Sequence, residues 1–276
     1  MLETSKKYIY KSSSFIKVGD YKVHYRDVGS GTPIVLIHGS FSSLHTFNKW
    51  SKHLKKDYRV ISIDLPGFGL TGYNRETVFS ISFYCNFINE FVDALKLSKF
   101  HIAGNSLGGW FVWEYVTRNS QRVDKMILIN AAGYVTESEY PLPFVIAQTP
   151  MLRNVLKYTP KAAIRKFLRQ VFCDQSKVTD ELVERHYDLF HLEGNLDAFV
   201  KIANTKFQDN TDKLGTVKNP TLVMWGDQDQ WINVSHAYKF YNTIPNSELI
   251  VYEDVGHVPM EEQPKKTASD LRLFLT

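Results

Sequence analysis

Cysteine is scarce: Cys85 and Cys173 are the only two in 276 residues. Two cysteines cannot build a disulfide framework, and they lack the C-x-x-C spacing of a zinc site. Each sits among apolar and aromatic neighbours, so both are expected to be buried structural thiols. That usage fits a reducing compartment. Long apolar runs are also missing. No stretch of roughly eighteen apolar residues occurs, so no helix is expected to span a membrane. The polar start, Met1 to Tyr10, is not followed by the apolar core of a signal peptide, and a cytoplasmic protein is expected. Blocks of one charge are absent. Lys and Arg number 33 against 29 Asp and Glu, a net charge of +4. The densest patches, Lys6-Lys7, Lys55-Lys56 and Lys265-Lys266, read as solvated surface, so no nucleic-acid partner is expected. No Walker sequence occurs and no G-x-G-x-x-G follows a strand, so no nucleotide cofactor is expected. His24, His45, His53, His101, His186, His191 and His236 show no pairing that suggests a metal.

What is present is the composition of a globular chain: 43 % apolar and 22 % charged residues. The length suggests one large domain, or one carrying a smaller insert. Residues 14–28 hold two short strand-like runs around a Gly19-Asp20 turn. Continuous apolar or β-branched runs at 33–37, 58–63, 99–103, 126–129, 221–225 and 248–252 read as buried strands. Between them lie a polar helical stretch to about Lys56, an amphipathic helix at 80–97 and a helix at 110–119. The last helix is expected at 264–274. The stripe of the second helix is Ile81, Tyr84, Phe87, Ile88, Phe91, Val92 and Leu95. Such alternation implies a parallel sheet covered on both faces. It breaks between about Tyr134 and Asn219. There Val145, Ile146, Leu152, Val155, Leu156, Ile164, Phe167, Leu168, Val171 and Phe172 carry helical periodicity, and prolines at 141, 143, 150 and 160 cut it into short helices. The stretch reads as a helical insert between two strands: residues 1–134 and 219–276 form the core, and 135–218 the insert.

Gly104-Asn105-Ser106-Leu107-Gly108 fits G-x-S-x-G between a strand and a helix. The glycines permit a sharp turn that lifts the Ser106 hydroxyl to the sheet edge, over the positive end of a helix. The plainer alternative is a glycine-rich helix start with an unreactive serine cap. A hydroxyl needs a base, so an acid and then a histidine are sought downstream, each after a strand. The strand at 221–225 leads into Gly226-Asp227-Gln228-Asp229. The strand at 248–252 leads into Glu253-Asp254-Val255-Gly256-His257. Asp229 is favoured as the acid and Asp227 is second, because Asp254 is too near His257 in sequence and Asn130 carries no charge. His38-Gly39-Ser40 follows the first buried strand. The backbone amides of Ser40 and Leu107 are expected to form an oxyanion hole. His38 is expected to brace this loop, and Asp64, in Asp64-Leu-Pro-Gly-Phe-Gly69, to be a turn residue.

These motifs, together with Trp225-Gly-Asp-Gln-Asp229 and Gly256-His257-Val-Pro-Met-Glu261, fall in the order seen in the α/β-hydrolase superfamily, which the chain resembles over about residues 20–134 and 219–275. The resemblance implies a mostly parallel eight-stranded sheet with helices on both faces and a helical cap after the sixth strand. It implies Ser106 as nucleophile, His257 as base and Asp229 as orienting acid, with no metal or organic cofactor. Within the superfamily the chain is similar to bacterial carboxylesterases and lipases with Gly-Asn-Ser-x-Gly-Gly elbows and to monoacylglycerol lipases. It is also similar to hydrolases that cleave carbon–carbon bonds in ring-fission diketones. The first expectation is therefore a carboxylic ester hydrolase for apolar acyl esters, acylglycerols included, with Phe41 and Trp110 flanking the substrate and a transient lipid-surface contact left open. The alternative is a carbon–carbon hydrolase, which needs a cation for the substrate carboxylate: Arg153, Arg165, Arg169 or Arg185. A ligand receptor with slow turnover ranks third.

Overall fold

A computed structural model describes residues 2–276; Met1, the first residue of the expected core segment, lies outside them. Eight strands form one sheet: β1 (Ser13–Val18), β2 (Tyr21–Val28), β3 (Pro33–Ile37), β4 (Arg59–Ile63), β5 (Phe100–Asn105), β6 (Val123–Ile129), β7 (Thr221–Gly226) and β8 (Ser247–Tyr252). Their spatial order is β1-β2-β4-β3-β5-β6-β7-β8. The pairs β1/β2 and β2/β4 are antiparallel, and every other pair is parallel. All six residues of β5 and all six of β7 are buried, as strands covered on both faces must be.

The helices are α1 (Leu2–Lys7), α2 (Asn48–Leu54), α3 (Ile81–Ala94), α4 (Leu107–Asn119), α5 (Leu142–Gln148), α6 (Lys161–Val171), α7 (Asp180–Phe190), α8 (Asn195–Ala203), α9 (Ser235–Thr243), α10 (Pro259–Glu262) and α11 (Pro264–Leu275). Helix α3 starts where the Ser80 hydroxyl accepts the Phe83 amide at 3.0 Å. Its expected stripe is buried apart from Leu95, which is half-buried at the C-terminal end. Tyr84 of that stripe stacks on Phe111 of α4 with ring centres 3.9 Å apart. On another side, Trp50 of α2 donates its indole N–H to Thr267 of α11 at 2.8 Å. Helix α9, between β7 and β8, had no counterpart in the sequence reading. It is one short amphipathic turn-pair that buries His236, Ala237 and Phe240.

Helices α5 to α8 all fall between β6 and β7. Burial along the periodic stretch of this region is uneven, and one expectation, that for Cys173, needs correction. Val145, Leu152 and Val155 carry the periodicity of a buried face, yet they are exposed. For Leu152 and Val155 the reason is that Arg153–Tyr158 is a 3-10 helix, whereas Val145 stands exposed on the α-helix α5. With three residues per turn, Leu152, Val155 and Tyr158 line one outward ridge while Leu156 turns inward. Cys85 is buried as expected, but Cys173 is only half-buried, at the end of the loop after α6.

His45 is 1 % exposed and sits between the Ser43 hydroxyl and the Tyr8 carbonyl. Burial pushes its pKa down to about 4 from 6.5. The unfolded chain therefore takes up this proton first as the pH falls. The stability His45 contributes is complete above about pH 6.5 and is lost towards pH 4, at up to about 1.4 kcal/mol per unit. Urea unfolding at pH 7.5 and pH 5 is expected to show lower stability at pH 5. His45→Gln should narrow that difference; an unchanged difference would assign the acid sensitivity elsewhere.

Candidate active site

The parallel register aligns the C-terminal ends of the central strands: Ile37 lies beside Gly104, Asn105 beside Ile129, and Ile129 beside Met224. The loops that leave these ends therefore share one edge. Ser106 occupies the tightest of them, with φ +56° and ψ −123°. A Cβ on Gly104 would stand 2.4 Å from the Gly108 carbonyl oxygen, and one on Gly108 would stand 2.3 Å from that of His38. Only glycine fits either place. The Ser106 amide donates to Ile129 at 3.0 Å, and its carbonyl accepts the amides of Trp110 and Ala132. The backbone is thus held from three sides while the hydroxyl stands free at the start of α4.

Asp229 is 7 % exposed, and its carboxylate is saturated with donors. Oδ1 accepts the amides of Trp231 at 2.8 Å and Ile232 at 3.1 Å. Oδ2 accepts from Asn130 Nδ2 and pairs with His257 Nδ1, both at 2.7 Å. His257 Nε2 is buried and has no hydrogen-bond partner among the described residues. With the proton held on Nδ1 by a carboxylate, Nε2 carries the free lone pair a base requires. Trp231 packs over the imidazole at 5.5 Å. His257 and Ser106 line the same small pocket, of about 20 Å³. Among the described residues the Asp227 side chain accepts only the Val255 amide, at 3.4 Å, and makes no bond to His257.

Two side chains tie these loops together. Asn105 Nδ2 donates to the carbonyls of Ile129 and His257, so the serine turn and the histidine loop are joined directly. Glu262, buried, accepts the Gly256 amide at 2.6 Å through one oxygen and the Asp174 amide at 2.9 Å through the other. The His257 amide donates to the Val171 carbonyl at 2.8 Å, so the histidine loop is also bonded to the end of α6. Sequence reasoning missed Asn130 and Glu262 as positioning groups. For Asn130 a signal existed, since it stands at the end of β6 where an acid could stand. For Glu262 there was none.

Ser40 and Leu107, the first residue of α4, line the same cavity as Ser106. The Leu107 amide belongs to the first helical turn, where N–H groups have no intrahelical acceptor. Burial keeps the His38 imidazole below its ordinary pKa. As a neutral ring it donates from Nδ1 to the Gly39 carbonyl and accepts the Leu65 amide at Nε2. Asp64 is fully buried. It accepts the amides of Leu44 and Leu70 and pairs with His24 at 2.7 Å, so it fixes two loops of this edge.

A cavity of about 80 Å³ opens beside Ser106, with Trp110, Val135, Phe144, Ile202 and Phe207 among its walls. Three residues of its lining, Ser40, Trp110 and Trp231, each carry a buried side-chain donor without a partner among the described residues. No Lys or Arg lines it. Phe41, at φ +57°, sits at the centre of an aromatic cluster with Phe144, Phe167, Phe190 and Phe199, the last with ring centres 4.1 Å apart. A second cavity, of about 280 Å³, lies on the α5–α6 side of Phe41. Of the four arginines, Arg165 pairs with Asp180, and Arg153 and Arg169 are exposed. Arg185 pairs with Glu261 at 3.5 Å, and Glu261 lines the small pocket of Ser106 and His257.

A strained serine at a strand–helix turn, facing an Asp-held histidine from two later strands, is the architecture of one enzyme class. Residues 32–264 match the family described as the alpha/beta hydrolase fold, and the chain belongs to it. Among curated proteins it is 28 % identical over 268 residues to a 2-hydroxy-6-oxononadienedioate/2-hydroxy-6-oxononatrienedioate hydrolase of Cupriavidus pinatubonensis, covering 92 % of each chain. Among solved structures it is similar to a meta-cleavage product hydrolase from Pseudomonas fluorescens IP01, at 29 % identity and a TM-score of 0.81, covering 95 % of this chain and 97 % of that one. It is also similar to a membrane phospholipase A described as a bacterial virulence factor, at 25 % identity and a TM-score of 0.83, covering 96 % and 85 %.

A fluorophosphonate probe, which needs an activated serine but no natural substrate, is expected to label the protein and not Ser106→Ala. Asp229→Asn should slow labelling by about 10³–10⁴-fold, while Asp227→Asn should label at close to the parent rate. The reverse ranking would move the acid to Asp227.

Proposed function

We propose that Ser106 is the nucleophile, His257 the base and Asp229 the orienting acid of a hydrolase that attacks the carbonyl of an apolar acyl group. His257 Nε2 takes the hydroxyl proton as Oγ bonds to the carbonyl carbon. The carbonyl oxygen becomes an oxyanion, held by the amides of Ser40 and Leu107, each such donor worth about 3–4 kcal/mol. Asp229 stabilises the imidazolium without taking its proton. The imidazolium then protonates the leaving group, the acyl group stays on Ser106, and water releases it by the same steps. Residues 135–218 act as a cap that supplies the acyl walls and keeps water out.

The leaving group separates two readings. Our first is an alkoxide, making the protein a carboxylic ester hydrolase. The observation that carries it is the lining beside Ser106, which is aromatic and aliphatic and includes no cation. The similarity to a phospholipase A lends it support. The second is a carbon leaving group, and the named relatives favour it: several are hydrolases of oxo-dienoates. Such a substrate carries a carboxylate that needs a cation. Of the four candidates, Arg185 is ion-paired to a residue of the small pocket, Glu261, which already occupies it.

The test is a ratio. Turnover of p-nitrophenyl esters of graded acyl length is set against loss of colour of 2-hydroxy-6-oxo-6-phenylhexa-2,4-dienoate, with Ser106→Ala as the blank. A kcat/KM for the best ester well above that for the dienoate is expected. The opposite ratio would establish the carbon–carbon reading, and Arg185→Gln should then abolish dienoate turnover.

A further inference from the structure

Apolar surface is unevenly spread over this molecule. Of the large hydrophobic side chains that are exposed among the described residues, six of thirteen fall between positions 142 and 158: Leu142, Val145, Met151, Leu152, Val155 and Tyr158. Met151 is 90 % and Tyr158 84 % exposed. Leu152, Val155 and Tyr158 form the outward ridge of the 3-10 helix. Leu142, Val155 and Tyr158 also rim the 280 Å³ cavity, so the patch continues inward as apolar space. Contiguous exposed apolar surface of this kind marks a contact with something else.

Charge identifies the partner. Between Tyr140 and Cys173 the chain carries six cations and not one carboxylate, more positive charge than the net +4 of the whole protein. Arg153, Lys157 and Lys166 make no ion pair among the described residues. Lys166 stands at the cavity rim. Arg153 and Lys157 alternate with the apolar ridge and share a shallow surface basin with Arg75 and Lys201, where one carboxylate, Asp197, stands against four cations. Apolar side chains proud of the surface, flanked by unpaired cations, complement acyl chains lying beneath anionic headgroups. A neutral protein surface would leave those cations without partners.

We propose that residues 142–158 and their basic flank dock the protein on an anionic phospholipid surface, with the apolar ridge among the acyl chains and the mouth of the larger cavity facing the lipid. Docking does not depend on which bond Ser106 attacks, so it is tested with Ser106→Ala. The protein is sedimented with vesicles of phosphatidylcholine and phosphatidylglycerol at about three to one, and with phosphatidylcholine alone. Binding to the mixed vesicles is expected. It should fall about tenfold or more in Met151→Asp/Val155→Asp, in Arg153→Glu/Lys157→Glu, and for the parent in about 0.5 M NaCl. The substituted side chains are exposed, and circular dichroism melts check that both variants stay folded. No binding to the mixed vesicles, or binding indifferent to both variants, would overturn the proposal. Sedimentation equilibrium distinguishes the other occupant: a dimer that the Met151→Asp/Val155→Asp variant splits, with no vesicle binding, would make this face a chain–chain interface. Failure here would leave the ester and dienoate assays untouched, and their failure would leave vesicle binding untouched.

Discussion

The structure depends on two absent methyl groups. Helix α4 can start directly over the end of β5 only because residues 104 and 108 have no Cβ, and residue 108 presses on the end of β3 for the same reason. That contact does three things at once. It forces the residue between into a positive φ, it stands the Ser106 hydroxyl clear of the sheet, and it brings the His38-Gly39-Ser40 loop alongside. The cost of a strained non-glycine residue is of order 1–3 kcal/mol, and it persists because the surroundings over-determine it. Here the surroundings are visible: three backbone hydrogen bonds at Ser106, and the Asn105 side chain reaching the β6 end and the histidine loop.

The charged part of the site obeys a second rule, that a buried carboxylate must have its lone pairs filled. Asp229 and Asp64 both satisfy it, with four and three donors respectively. Their surroundings make them different tools. Asp229 faces a histidine whose other nitrogen is free, and Asp64 faces His24, whose other nitrogen is occupied by Ser13. The same pair of residue types is thus left available in one place and closed off in the other.

The fold was legible because its signals are local. Apolar runs such as 33–37 and 221–225 end in small or polar residues where the strands end, and the stripe of α3 repeats at helical spacing. Ser106, Asp229 and His257 stand out in the sequence for the same reason, since each follows a strand in a recognisable tetrad or pentad, and the structure brings Asp229 against His257 and His257 into one pocket with Ser106. What was not legible depends on contacts between distant segments. Asn130 and Glu262 work through partners 99 and 88 residues away. The exposure of Leu152 and Val155 depends on a choice between two helix types that differ by one hydrogen-bond step, and residue spacing of three and four serves both. The substrate lies beyond reach for a related reason: the cavity walls come from α4, the β6 loop and α8 together, so no single stretch spells out their shape.

One contact described above constrains how this enzyme can diversify. The His257 amide is bonded to Val171, and Glu262 grips the Asp174 amide, so the stretch after α6 is part of the scaffold that aims the imidazole. Among the described residues the stretch from α5 through the 3-10 helix has no such hydrogen bond to the histidine loop. Residues 171–174 are therefore exchangeable only in concert with the histidine loop, whereas a change before α6 reaches the site only through the cavity wall that Tyr140, Pro141 and Phe144 supply.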